Sequence, residues 1–281
     1  MKKKFLFPFI LLTIGIVLLR YSQNMKHIFK NETLTGLERT SKLPPEIVKE
    51  SDLEHLPLIV RKYLNYVGVV GKEKVYSMRV ILEGKIRSNP DDTWMKLTSQ
   101  QYNFFDNPTR VFYIKATKVG IPALGLHLYK NEKASFKVKL LGLIKVIDAK
   151  GDKLDQAETV TIFNDMCLLA PATLISEKIQ WNEIDSLTVD AKFTNRNITI
   201  GARLYFNEAG ELIKFVSNDR FETNGKEYNN YPWLTPVKKY NQINDYKLCS
   251  EVSTDYQRPD RTFSYGEFKV KEVEYNCNEF K

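Results

Sequence analysis

The stretch Leu140–Ile175, LLGLIKVIDAKGDKLDQAETVTIFNDMCLLAPATLI, decides how the rest of the chain is read. It opens as an apolar strand and turns at Asp148-Ala149-Lys150-Gly151. It then continues as an amphipathic helix that Pro171 stops, because proline cannot extend a helix. On both sides of it the hydrophobic period changes to two. Leu187, Val189, Ala191 and Phe193 alternate with Thr188, Asp190 and Lys192, and Ile198, Ile200, Ala202, Leu204 and Phe206 follow at the same spacing. Before it, Tyr76, Met78, Val80, Leu82 and Ile86 share one face, with Ser77, Arg79, Glu83, Lys85 and Arg87 on the other. Such alternation marks half-buried strands. Asn89-Pro90, Asn107-Pro108, Asn195-Arg196-Asn197 and Asn207-Glu208-Ala209-Gly210 supply turns too short for helical crossovers, so the strands run antiparallel. The expected fold is mainly β (α+β): a large curved antiparallel sheet of roughly ten strands with one helix across its concave face. The 16 Phe and 15 Tyr suit a pleated, half-buried surface.

The net charge of +8 is concentrated at one end. Lys2, Lys3, Lys4, Arg20, Lys26 and Lys30 precede the first acid, Glu32, which leaves 36 basic against 34 acidic residues for the remainder. That body carries no broad electrostatic footprint for a nucleic acid. The basic residues instead flank an apolar run, Phe5–Leu19, interrupted by Pro8, Thr13 and Gly15. No small-residue cleavage site follows it, so residues 1–20 are expected to be a transmembrane anchor or uncleaved signal. The lysines keep the N-terminus cytoplasmic and send the body across. Residues 21–45 are polar, end in Pro44-Pro45 and are expected to be a linker; residues 46–281 form a single exported β-rich domain. Within it, Glu46–Val67 is expected to be helical, with Pro57 in a first turn.

The chain resembles an uncharacterised, membrane-anchored bacterial family described only as a domain of unknown function. The residues that carry the resemblance are Leu56-Pro57, Arg61, Tyr63-Leu64, Gly84 and Trp94, then Leu141-Gly142-Leu143 through Asp148 and Gly151 to Asn164-Asp165-Met166-Cys167, with Pro171 and Leu174. Trp181, Asp219-Arg220-Phe221 and Val273-Glu274-Tyr275-Asn276 continue it, so it spans about Leu56 to Asn276. The resemblance brings no activity or catalytic residues to carry over; the apolar run and its lysines lead to the expectation of a bacterial cytoplasmic-membrane protein crossing once, its body extracytoplasmic. At the level of fold alone, a large antiparallel sheet curled over helices resembles the periplasmic lipoprotein-carrier half-barrels.

Chemistry-bearing motifs are few. His27, His55 and His127 have no Gly-x-Ser-x-Gly elbow beside them, and there is no His-Glu-x-x-His, paired Cys-x-x-Cys, calcium loop or glycine-rich phosphate loop. No catalytic residue, metal or cofactor is assigned. Asp148, Asp152, Asp155 and Glu158 suggest oxygen ligands for a hard cation, but carboxylates at the start of a helix have a simpler role in capping and opposing the dipole. Asn164-Asp165-Met166-Cys167 interrupts a core-facing helix with polar groups; Asp165 either bonds backbone or Arg220, or lines a pocket. Cys167 reads as a small buried hydrophobe, and Cys249 and Cys277 are candidates to pair in an oxidising compartment. The ligand-binding candidates are Asp165, Cys167, Phe112, Leu126, Leu128 and Arg220, around a concave face able to hold a lipid or other apolar molecule. The alternatives are an envelope enzyme using acids such as Asp148 and Asp165, or a structural adaptor.

Overall fold

The computed structural model describes residues 24–223 and 227–281. The expected membrane segment, residues 1–20, lies outside them. No helix among the described residues is long and apolar enough to cross a membrane.

Residues 24–40 form a helix, α1, where the sequence reading expected part of a linker. Its buried positions are Met25, Phe29, Thr33, Gly36, Leu37 and Thr40, one stripe at three-and-four spacing. Three of these six are small or hydroxylated, so the stripe is weak in hydrophobicity although regular in position. A short extended segment follows, bridged at Ile47 to Glu73. A 3-10 turn spans Glu50–Leu53, and α2 runs Leu58–Val67. The expected helix from Glu46 is thus confined to its second half. Gly68, at φ 81°, ends α2 and donates its N–H to the Leu64 carbonyl.

The strands are β1 (Ser77–Ile86), β2 (Met95–Phe104), β3 (Thr109–Lys118), β4 (Ile121–Lys130), β5 (Lys133–Leu140) and β6 (Ile144–Lys150). Helix α3 (Asp152–Leu169) follows, then β7 (Ile179–Asp185), β8 (Thr188–Asn195), β9 (Ile198–Phe206) and β10 (Leu212–Ser217). A small hairpin, β11 (Glu222–Thr223) and β12 (Tyr228–Asn229), precedes β13 (Trp233–Ile243), β14 (Tyr246–Gln257) and β15 (Thr262–Tyr275). Among the described residues thirteen strands make one sheet in the order β6-β5-β4-β3-β2-β1-β15-β14-β13-β10-β9-β8-β7. The last strand closes against the first, joining two meanders into a continuous surface. The count exceeds roughly ten partly because β7, exposed along most of its length, carries no alternation to read.

The central stretch also differs from its reading. The chain reverses at Leu141–Leu143, and Asp148–Lys150 belong to β6. Helix α3 starts directly after Gly151, whose φ of 116° is the left-handed region that favours glycine. The helix is not amphipathic in its surroundings: 15 of its 18 residues are buried. It touches β4, β5 and β6 in one wing of the sheet and β9, β10 and β14 in the other, so the twisted sheet folds around it. The expectation of one helix lying across the concave face is met.

The two faces of the sheet have separate cores. On the concave side Met78, Val80, Phe112, Phe163, Cys167, Phe193, Phe215 and Trp233 belong to one continuous cluster. Phe163 stacks on Phe193 at 5.2 Å between ring centroids. On the outer side Met25, Phe29 and Leu37 of α1 pack on Tyr102, Phe104, Val111, Tyr113 and Leu126. Cys249 belongs to the first cluster and Cys277 to the second, both as free thiols on opposite sides of the sheet. They do not pair. Ion pairs fix α1 at its edges: Arg39 grips Asp106 through Nε at 2.6 Å and Nη2 at 3.0 Å, and Lys130 reaches Glu32 at 2.8 Å.

Gly36 sets how closely α1 lies on the sheet. A Cβ there would sit 2.2 Å from Cε2 of Phe104. Gly36→Val should therefore undock α1, with an expected loss of about 1–3 kcal/mol in denaturant unfolding, the usual cost of overpacking. Cys277, buried beneath α1, should become reactive to a thiol reagent in the variant; a Cys277 as inert as in the parent would contradict the docking.

Candidate functional site

The centre of the concave side is a buried charge cluster that ties α3 to the strands. Register places Val80, Gln101, Phe112, His127 and Phe136 side by side across β1 to β5. One rung away lie Met78, Asn103, Arg110 and Tyr129. Period-two alternation therefore turns Gln101, Asn103, Arg110 and His127 towards α3. Oδ2 of Asp165 accepts from Gln101 Nε2 at 2.7 Å, Asn103 Nδ2 at 2.9 Å and Arg110 Nε at 2.9 Å. Arg110 donates from Nη1 to Glu158 at 3.1 Å and from Nη2 to Gln101 Oε1 at 3.0 Å. Its guanidinium lies 4.4 Å from the centre of the Phe112 ring. The Nδ1 of His127 stands 3.1 Å from the same Glu158 oxygen but off the line of a hydrogen bond, so this is a close electrostatic approach.

Arg220 completes the cluster from the other wing. Its Nε donates to Thr161 at 3.2 Å, Nη1 donates to the Tyr256 hydroxyl, and the guanidinium lies 4.5 Å above Trp233. Two arginines thus face two carboxylates. Burial raises the pKa of Glu158, but His127, Arg110 and Arg220 more than offset it and hold the carboxyl well below its usual range. Burial pushes Asp165 upward against the opposing pull of Arg110, Asn103 and Gln101. Further bonds pin α3 along its length. Asp155 accepts from Ala134 N at 2.6 Å and Lys133 Nζ at 2.8 Å, and Asn164 donates to Thr235 Oγ1 at 2.7 Å. The Tyr63 hydroxyl donates to the carbonyl of Cys167 at 2.7 Å.

The residues singled out from sequence are only partly brought together. Asp165, Phe112 and Arg220 adjoin this cluster, but the partner of Asp165 is Arg110, not Arg220. Cys167 is wholly buried among apolar side chains, where burial drives its thiol pKa far up. Leu126 and Leu128 point to the outer face and pack with the core beneath α1. Asp148 lies on β6 beside Lys145 at 2.9 Å, apart from Asp165. The four acids considered for a cation are dispersed, with Asp155 on Lys133 and Glu158 on Arg110. Glu158 entered the reading only among those four acids, and Gln101, Asn103 and Arg110 escaped it. Their signal was the polar run at Ser99, Gln101 and Asn103 on a strand that also carries Tyr102 and Phe104, which implies burial on both faces.

Two surfaces adjoin this centre. Beyond the His127 rung, Leu82, Ser99, Ile114, Gly125, Val138 and Ile147 align across β1 to β6. Ile114, Phe136, Val138 and Ile147 are half-buried, as are Val252 and Phe268 on β14 and β15. On the outer face a recess of about 620 Å³ is walled by Glu83, Lys85, Lys96, Lys115, Glu267 and Lys269. Its Glu267 is held below the usual carboxylate range by Lys85, with Lys238 adding to the effect, so it is a lysine-rich shelf without a poised acid.

The lowered pKa of Glu158 has a consequence for acid stability. A carboxyl depressed on folding stabilises the native state above its unfolded pKa, and that stability is lost as pH falls through the folded value. Wild-type melting temperature should therefore drop on acidification from pH 5 downward, and Glu158→Gln should flatten that slope. At neutral pH the substitution leaves Arg110 short of a charged partner and should cost about 3–5 kcal/mol in denaturant unfolding. A pH profile parallel to wild type would contradict the assignment.

Among known proteins, no curated sequence matches the chain. Solved structures similar to it include a domain from Vibrio parahaemolyticus described as a putative outer membrane lipoprotein-sorting protein, at 9% identity and TM-score 0.43, covering 73% of this chain and 87% of that one. A DUF1329 family protein from Desulfovibrio piger is similar at 8% identity and TM-score 0.43, covering 79% and 92%. A LolA superfamily protein from Nitrosomonas europaea is similar at 9% identity and TM-score 0.41, covering 77% and 91%. The profile of one family matches residues 46–268, which is most of the chain, so the protein belongs to DUF6544, a family of unknown function.

Proposed function

We propose that this protein is a membrane-tethered, extracytoplasmic domain that takes up a lipid or another apolar molecule on the part of the concave face beyond α3. The apolar run Phe5–Leu19 with its lysine flank supports the tether and a direction that leaves the body outside a bacterial cytoplasmic membrane. The observation that carries ligand binding is the band of half-buried Ile114, Phe136, Val138, Val252 and Phe268. These apolar side chains line a curved wall next to a row of fixed charges. An acyl chain laid on that wall gains about 0.8 kcal/mol per methylene removed from water. His127 and Arg220 stand at the inner boundary of the band, where a polar head group would find donors.

The filled lower half sets the geometry of uptake. Helix α3 occupies the depth of the bowl and is bonded to both wings, so the ligand lies above it and does not replace it. Phe112 and Asp165 then form the floor and act through Arg110; Leu126, Leu128 and Cys167 take no part.

The full chain, purified from its native membrane and extracted, should yield a co-purifying lipid by mass spectrometry, and it should bind a fluorescent fatty acid. Val138→Asp places a carboxylate in the band and should weaken that binding by about tenfold or more, equivalent to about 1.4 kcal/mol. Ile213→Asp, at an exposed apolar position on β10, should leave it unchanged. Preparations that carry no apolar molecule and take up no fatty acid would sink the proposal.

A further inference from the structure

Two hairpin tips at one end of the sheet are apolar and exposed. The β3–β4 turn presents Val119 at 88% exposure and Ile121 at 50%, and the β5–β6 turn presents Leu141 at 55% and Ile144 at 58%. A backbone hydrogen bond from Leu141 N to the Pro122 carbonyl, 2.9 Å, joins them into one rim. Monomeric proteins rarely leave a contiguous apolar surface of this kind without a use for it.

The turns themselves show a choice that folding does not require. Val119 and Gly120 have φ of 49° and 80°, and Leu141 and Gly142 have 51° and 69°. Positive φ at the first turn position favours asparagine, aspartate or glycine and is strained for a β-branched side chain. Elsewhere the corresponding first turn positions hold Asn131, at φ 51°, Asn244, at 52°, and Arg196, at 54°, all of them polar. At the two tips, apolar residues stand in a disfavoured backbone conformation with little packing to compensate. Strain of this kind, held in the open, points to function.

The neighbouring charge is positive. Lys118 pairs with Ile121 across β3 and β4 at the base of the first tip, and Lys115 lies three residues below it. Both are exposed, as is Lys96 opposite Thr117 on β2. None of the three makes an ion pair among the described residues. An apolar tip collared by lysines is complementary to a lipid surface with anionic head groups.

The direction of α1 supplies an independent line. Gly36 lies against Phe104 and Arg39 against Asp106, at the β2–β3 turn. Phe29, seven residues earlier, stacks on Tyr113 at 5.4 Å, further along β3 towards Lys118. The helix therefore runs antiparallel to β3, and its Asn24 end points to the tips. The apolar run Phe5–Leu19 precedes α1 in the chain and joins the domain at that end.

We propose that the Val119-Gly120-Ile121 and Leu141–Ile144 tips dip into the surface of an anionic bilayer, orienting the domain with the β3–β4 end down. This rests on the tether of the preceding section but not on ligand uptake. The test uses the full chain reconstituted in vesicles of phosphatidylcholine with phosphatidylglycerol, carrying an environment-sensitive fluorophore at Val119→Cys, Leu141→Cys or Lys42→Cys. Lys42 is exposed beyond the far end of α1. The native thiols do not compete, because Cys167, Cys249 and Cys277 are buried. Labels at 119 and 141 should shift to the blue and lose most of their emission to a doxyl-lipid quencher, less so in phosphatidylcholine alone, while the label at 42 stays water-like. Labels at the tips that remain water-like overturn the proposal, whether or not the chain floats with the vesicles. So does equal shielding without vesicles, which would assign the rim to a second copy of the chain. Flotation scores the tether separately, and fatty-acid binding scores ligand uptake.

Discussion

The contact between Arg110 of β3 and the two carboxylates of α3 fixes the rest of the structure. A helix buried almost all round cannot be held by an apolar stripe alone, since several orientations would bury similar area. Asp165 and Glu158 lie seven residues apart, two turns along one helix face, and a single guanidinium bonds both. Because leaving either acid without its cation in this medium is costly, only one rotation and one depth of α3 satisfy the cluster. Arg220 then brings the second wing of the sheet to the same helix through Thr161 and Tyr256.

That constraint also explains why the sheet curls as it does. Both wings must reach one helix, and a long antiparallel sheet with its natural twist does so by wrapping. Strand β15 pairs with β1 and turns two meanders into one wall. The bowl that results is filled at its base by α3 and lined above it by half-buried apolar residues. The outer face has its own core under α1, so much of β2 and β3 is buried on both sides.

Two-sided burial also masks the period-two signal of a strand. Where one face meets solvent, as in β8 and β9, alternation was plain and the strands followed directly from it. Where both faces are covered, Gln101, Asn103 and Arg110 sat among aromatics and looked like ordinary variation. Helix α1 was hidden for a related reason. Its buried stripe includes Thr33, Gly36 and Thr40, with Gly36 lying against the Phe104 ring, so composition suggested a linker while position required a helix.

By itself the sequence determined the period-two strands, the helix after Gly151, the sharp turns between strands, and the apolar N-terminal run with its lysines. Those features depend on neighbours within a few residues, and their spacing carries them. The tertiary structure alone decided that Asp165 meets Arg110, that Leu126 and Leu128 face away from Phe112, and that Cys249 and Cys277 lie on opposite sides of the sheet. Periodicity assigns a residue to a face; which partner it meets there depends on register and curvature accumulated over thirteen strands.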